Sequence, residues 1–142
     1  MNTIINRLTG SKIIYNKLIK NNVKDVFLYS GGAIMPVVDQ FYNSEINYFI
    51  NSHEQNAGHA ATGYAKSTNR TGVCVVTSGP GLTNLVTPML DATNDSTPMV
   101  VISGQVTKSA MNTNAFQECA AVDISKSVTK LSYCVENVSE LP

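Results

Sequence analysis

One acidic side chain and two glycine-rich turns are the residues of this sequence best able to do chemistry. Glu54 stands in His53-Glu54-Gln55, directly after the apolar run Tyr48-Phe49-Ile50. It opens a segment crowded with small residues, Ala57, Gly58, Ala60, Ala61, Gly63 and Ala65. A helix so short of side-chain bulk lets a neighbouring element approach closely, which buries its start. A carboxylate in such a dry place takes up a proton more readily and is suited to sharing it with a ring nitrogen. The helix dipole also favours a carboxylate there, as does capping, so position alone does not assign a role. Ser30-Gly31-Gly32 and Ser78-Gly79-Pro80-Gly81 each follow an apolar run, and glycine allows close backbone approach to a ligand or a positive φ. Either turn alone is also what an ordinary strand-to-helix connection requires.

Other chemistries find less support. Neither glycine turn matches GxGxxG or GxxxxGK[ST], the phosphate-cradling patterns of nucleotide folds. Ser78 lies in SGPG rather than GxSxG, so no nucleophile elbow is present. His53 and His59 are a poor helical match for shared metal ligation, and His59 reads as a packed helix residue. Cys74, Cys119 and Cys134 are odd in number and lack CxxC spacing, which argues against a disulfide framework or a zinc site and for a reducing compartment. Residues 1–12 carry neither signal-peptide nor transit-peptide character, so a cytoplasmic location is expected.

These residues need a scaffold, and apolar runs alternate regularly with turn signals. Helices are expected over Ser11–Asn21 (Ile13, Ile14, Leu18 and Ile19 at helical spacing, Ser11 as cap), Ile34–Tyr42 with Pro36 in its first turn, Glu54–Ser67, Leu82–Asn94 and Ala120–Ser127. Strands are expected over Asp25–Tyr29, Tyr48–Ile50, Gly72–Thr77, Pro98–Ser103 and Lys130–Val135. Gly104–Glu118 reads as one long irregular segment, the kind of loop that is usually functional. Asn137–Pro142 reads as the start of a further helix. Alternating strands and helices predict an α/β fold: a doubly wound, mostly parallel sheet with helices on both faces. Ligands of such sheets gather at the carboxyl ends of the strands, where both glycine turns, Glu54 and the long loop fall.

The chain has 142 residues, enough for one domain. Ten Lys and Arg balance ten Asp and Glu, which removes the basic footprint expected of a nucleic-acid binder. No apolar run approaches membrane-spanning length. Charged residues are only 14%, below the usual quarter, so much of the surface is expected to be uncharged or covered by something else.

Taken jointly, several segments resemble the pyrimidine-binding (Pyr) domain of thiamine-diphosphate enzymes, most closely that of the acetolactate synthase large subunit. They are Tyr29-Ser30-Gly31-Gly32-Ala33-Ile34-Met35-Pro36, His53 through Ala65, Val76 through Leu85, Pro98 through Val106, and Ala115-Phe116-Gln117-Glu118. They occur in family order and spacing, and cover nearly the whole chain. The resemblance implies the thiamine-diphosphate-binding fold and a single Pyr domain over 1–142 that lacks its last helix. It implies that the Glu54 carboxyl hydrogen-bonds N1′ of the cofactor's aminopyrimidine and stabilises its imino tautomer, which activates C2 of the thiazolium toward a 2-oxo acid. Gly31 and Gly32, with Ser30, would lie beside the pyrimidine; Ser78, Gly79, Pro80 and Gly81, with Asn84, would shape the cofactor wall. Phe116 and Gln117 would line the substrate side, the first excluding water and the second hydrogen-bonding a substrate oxygen.

The absence of histidine from Thr107 to Glu118 points to the acetolactate synthase branch rather than to pyruvate-decarboxylase-like members. Ser30 stands where the family usually has proline, a change that loosens the turn and leaves the glycines in place. By the same resemblance, Mg²⁺ and the diphosphate are held by another domain with a GDG…N motif, which this sequence lacks. FAD is a further cofactor of the full enzyme, bound largely by a central domain also missing here. The expected partner is the diphosphate-binding domain of a second subunit in a homodimer or homotetramer, with a 2-oxo acid such as pyruvate as substrate. The isolated chain is expected to be inactive and to self-associate. The rival readings are a non-catalytic Pyr-like binding or assembly module, another 2-oxo acid decarboxylase or lyase of the superfamily, and a flavodoxin-like nucleotide-binding domain.

Overall fold

In the computed structural model, which describes residues 8–141, four parallel strands follow the apolar runs. These are β1 (Asp25–Tyr29), β2 (Asn47–Ile50), β3 (Gly72–Val76) and β4 (Met99–Ser103), in the order β2-β1-β3-β4. Phe27 is in register with Phe49 on one side and Cys74 on the other, and Cys74 with Val101. The helices are α1 (Gly10–Lys20), α2 (Met35–Val38), α3 (Glu54–Thr68), α4 (Pro80–Thr83), α5 (Val86–Asn94) and α6 (Ala121–Lys126).

Successive side chains of a strand point to opposite faces, and here each face meets helices. Val26, Leu28, Val73 and Val75 join Leu18 of α1 with Ile34, Val37, Phe41 and Ile46 in one core. Cys74 and Val76 face the other way, against Ala57 and Ala61 of α3, Leu82, Leu85, Met89 and Val128. All of β3 is buried, which is why its sequence is apolar without alternation. The parallel α/β fold with helices on both faces is therefore as expected. The edges are less covered: Tyr48, Phe49 and Ile50 of β2 and Val100 of β4 are exposed.

Five local expectations need correction. The cap of α1 is Thr9, whose hydroxyl accepts from the Lys12 N–H at 3.3 Å, rather than Ser11. Ile34–Tyr42 is not one helix: 3₁₀ turns at Gly32–Ile34 and Asp39–Phe41 flank the four residues of α2. Pro36 and the β-branched Val37 and Val38 make this a poor helical stretch. Leu82–Asn94 divides into α4 and α5. Pro88 has no N–H, and its ring would meet the carbonyl of Asn84, so the ladder stops with Leu85 N–H on Leu82 O and restarts with Met89 N–H on Leu85 O, both 2.9 Å.

Lys130–Val135 forms no strand. Its alternation leaves Leu131, Tyr133 and Val135 exposed; a period of two makes a strand only where a neighbouring strand completes the ladder. Side-chain bonds shape it instead, with the Tyr133 hydroxyl and the Glu136 N–H both donating to Glu140 Oε2 at 2.9 and 3.0 Å. Asn137 onward contains only a 3₁₀ turn, Val138–Glu140. Gly104–Glu118 is irregular apart from the 3₁₀ turn Lys108–Ala110, as expected. No described helix is long and apolar enough to cross a membrane.

Candidate functional site

The chain leaves β1 toward β2 on one side and reaches β3 on the other, so the strand order reverses between β1 and β3. Outside the carboxyl ends of strands at such a reversal is where ligands of open α/β sheets bind. The turn after β1 (Ser30, Gly31, Gly32), the start of α3 (Glu54) and the turn after β3 (Thr77–Gly81) all lie at those ends.

Glu54 is the first residue of α3 and is only 6% exposed. Its burial follows from the small residues behind it: a Cβ on Gly58 would strike Pro88 and come within 2.8 Å of Leu85, so α5 packs directly on the glycine backbone. The carboxylate is not the helix cap. His53 fills that place, its Nδ1 accepting from the Gln55 N–H at 3.1 Å. Asn84 Nδ2 donates to Glu54 Oε2 at 2.9 Å, and among the described residues Oε2 alone of the two carboxylate oxygens is hydrogen-bonded. Burial first, and the charge of Glu54 second, push the Cys74 thiol up to about 12. Cys74 is thus kept as an unreactive thiol.

The two glycine turns meet each other. A Cβ on Gly31 would sit 2.6 Å from Thr77 Cβ, and one on Gly81 would sit 2.9 Å from Thr77 Cγ2. Gly31 O accepts from the Ile34 and Met35 N–H groups at 3.2 and 3.1 Å, so backbone bonds close the turn that has Ser30 before its glycines. The flank of Gly32 is different: nothing lies within 4 Å of a Cβ built there. Gly79 has φ +55 and ψ −112, a conformation that glycine alone adopts readily. Ser78 is 2% exposed and buried behind the turn, whereas Pro80 is exposed.

Thr77 was not among the residues singled out from the sequence. Its Oγ1 is buried and has no hydrogen-bond partner among the described residues, an arrangement that costs about 1–3 kcal/mol unless something else satisfies it. The available signal was a hydroxyl residue ending an otherwise apolar buried strand.

The loop Gly104–Glu118 reaches this region through its last residues. The Gln117 backbone lies so close to Gly79 that a Cβ on Gly79 would overlap its carbonyl, and the Cys119 thiol is 3.9 Å from Gly79 O. Gln117 thereby joins the turn after β3, while the neighbouring Phe116 ring is 87% exposed. His59 does not pack as expected: it is exposed, with Nδ1 4.0 Å from Asp91 Oδ2. Among the described residues no group of three His, Cys, Asp or Glu is placed to hold a metal ion.

The chain is similar in sequence to known proteins. A family model described as thiamine pyrophosphate enzyme, N-terminal TPP binding domain, matches residues 8–126. The chain is 51% identical over 143 aligned residues to the mitochondrial acetolactate synthase catalytic subunit of Saccharomyces cerevisiae, covering 100% of this chain and 21% of that protein. It is 50% identical to the acetolactate synthase large subunit of Corynebacterium glutamicum, covering 96% of this chain and 22% of that protein. Identity to the acetolactate synthase isozyme 2 large subunit of Escherichia coli is 45%, covering 95% of this chain and 25% of that protein. The chain thus spans between a fifth and a quarter of the length of these relatives.

Proposed function

The chain belongs to the thiamine pyrophosphate enzyme N-terminal TPP binding domain family, and from that premise we propose that it presents Glu54 to the aminopyrimidine of thiamine diphosphate as one half of an acetolactate synthase-like active site. The observation that carries this reading is the buried Glu54 carboxyl, held by Asn84 at the strand ends where both glycine turns converge. The residues fit the cofactor in two further ways. The unpartnered Thr77 Oγ1 needs a polar group, and the open flank of Gly32 leaves room for a flat ring.

When bound, thiamine diphosphate supplies an acidic carbon that adds to the carbonyl of a 2-oxo acid, pyruvate in the simplest case. The chain's own contribution is to bind, orient and move a proton. Glu54 donates its hydrogen to the ring nitrogen, an interaction strengthened by the low dielectric of a buried site. Asn84 fixes the carboxyl so that one oxygen is left for the ring. Ser30, Gly31 and Gly32 form one wall of the ring site, and Ser78, Gly79, Pro80 and Gly81 the other. Phe116 keeps water from the reacting carbon, and Gln117 hydrogen-bonds a substrate oxygen.

We assign the diphosphate and Mg²⁺ to a diphosphate-binding domain contributed by a second subunit of a homodimer or homotetramer, with FAD as an additional cofactor of the whole enzyme in the cytoplasm. The exposed aromatic and aliphatic side chains of β2 are the kind of surface that a partner domain covers. Glu54→Gln in the gene product loaded with thiamine diphosphate and Mg²⁺ tests the reading. Turnover of pyruvate is expected to fall about 10²–10⁴-fold, with the thermal midpoint unchanged because the amide still accepts from Asn84. Turnover equal to the parent's would overturn the assignment.

A further inference from the structure

Gly104–Glu118 is fifteen residues long with one short 3₁₀ turn, yet its end is fitted tightly against Gly79. Three of its non-glycine residues hold a left-handed backbone: Asn112 at φ 65, Asn114 at φ 57 and Gln117 at φ 60. Asparagine tolerates this conformation; glutamine does so less readily. Such a loop needs an internal anchor to keep one shape.

We propose that Glu118 is that anchor and acts as a positioning residue: its carboxylate gathers the backbone N–H groups of Asn112, Thr113 and Ala115, and so holds Gln117 at the turn after β3 with the exposed Phe116 beside it. The inference rests on the reading of Phe116 and Gln117 as the substrate side of a thiamine-dependent site. Glu118 Oε1 accepts from the Asn112 N–H, and Oε2 accepts from the Thr113 and Ala115 N–H groups at 3.2 and 3.1 Å. The Glu118 N–H in turn donates to Ala115 O at 3.0 Å, so residues 115–118 close on themselves. These bonds, that from Asn112 foremost, keep the Glu118 carboxyl below the ordinary carboxylate range.

The geometry converts a carboxylate at the foot of the loop into the position of its tip. Three N–H donors converge on one side chain, so the backbone of residues 112–115 cannot turn away without losing charge-assisted bonds. Gln117, strained and pressed on Gly79, passes that restraint to the turn that walls the cofactor. Glu118 touches neither ring nor substrate in this scheme. Its effect is on where Gln117 and Phe116 stand.

The test uses Glu118→Gln, Glu118→Ala and Glu118→Asp in the gene product, read by amide hydrogen exchange and by steady-state kinetics with pyruvate. Exchange at Asn112, Thr113 and Ala115 is expected to accelerate in the Gln and Ala variants and to be partly restored in the Asp variant. The KM for pyruvate should rise about tenfold to a hundredfold, as for a misplaced binding group, while thiamine diphosphate affinity and thermal midpoint stay at parental values. Unchanged exchange would overturn the proposal, as would accelerated exchange with an unchanged KM. A loss of cofactor affinity or thermal midpoint in step with KM would also overturn it, since that marks a merely structural role. If the parent, assembled with its diphosphate-binding domain, thiamine diphosphate and Mg²⁺, does not turn over pyruvate, the thiamine reading fails instead, and the exchange measurement then decides whether Glu118 holds the loop.

Discussion

Asn84 Nδ2 donates a 2.9 Å hydrogen bond to Glu54 Oε2, joining the end of α4 to the first residue of α3 across thirty positions of sequence. The break between α4 and α5 that Pro88 enforces places Asn84 at the carboxyl cap of α4, where its side chain is free to reach the carboxylate rather than being carried on within a longer helix. The break, where the sequence predicts one helix over Leu82–Asn94, is thus where the partner of the acidic group stands.

Asn84→Ala removes the partner of a buried carboxylate oxygen, and an unsatisfied buried acceptor costs about 1–3 kcal/mol. The urea unfolding midpoint is expected to fall accordingly. Glu54→Ala combined with Asn84→Ala should lose less stability than the two changes summed, because both act on one bond. Strict additivity would show that the Glu54–Asn84 bond contributes nothing to the fold.

The adjoining glycines of the turn after β1 separate packing from binding. Gly31→Ala drives a Cβ to within 2.6 Å of Thr77, and such overpacking costs about 1–3 kcal/mol, visible as a lowered thermal midpoint. Gly32→Ala meets nothing within 4 Å, so its thermal midpoint should match the parent's while its affinity for thiamine diphosphate, measured by titration calorimetry, falls. Parental affinity in Gly32→Ala would remove this glycine from the cofactor wall.

The segment after α6 carries a pH signature. Asn137 Nδ2, the Glu136 N–H and the Tyr133 hydroxyl hold the Glu140 carboxyl down at about 2, and the hydrogen bond to Glu140 in turn raises Tyr133 above its ordinary value of 10.0. For a depressed carboxyl, the folded segment gains its support above the unfolded value of 4.5 and loses it as pH falls toward about 2. For the raised tyrosine the support is present below 10.0 and is lost as the hydroxyl ionises above that. Glu140→Gln should return the Tyr133 transition, followed by near-ultraviolet absorbance, to the ordinary tyrosine range; an unmoved transition would contradict the coupling.

The strands, the start of α3 and the glycine turns were legible in the sequence because each is written locally. Apolar residues mark what must be buried, glycine marks where the chain must bend or come close, and a helix poor in bulk announces that its start will be covered. The family resemblance added the expectation that Glu54, Gly31, Gly32 and Asn84 belong to one site, of which the Glu54–Asn84 bond is seen. Local pattern failed where the outcome depended on a neighbour. The alternation of Leu131, Tyr133 and Val135 made no strand, because among the described residues no adjacent strand completes a ladder with it.

What the amino-acid order determined by itself is the α/β framework and the residue that could carry a proton. Only the folded chain decided that Asn84 grips that residue, that the Thr77 hydroxyl finds no partner among the described residues, that Gln117 rests on Gly79 and that Glu118 gathers three backbone N–H groups. The Asn84–Glu54 and Gln117–Gly79 meetings join residues far apart in sequence, and all of these features depend on packing at distances of a few ångströms. Periodicity and turn chemistry reach a few residues along the chain; the meeting of side chains across a sheet is set by the packing of whole elements against one another.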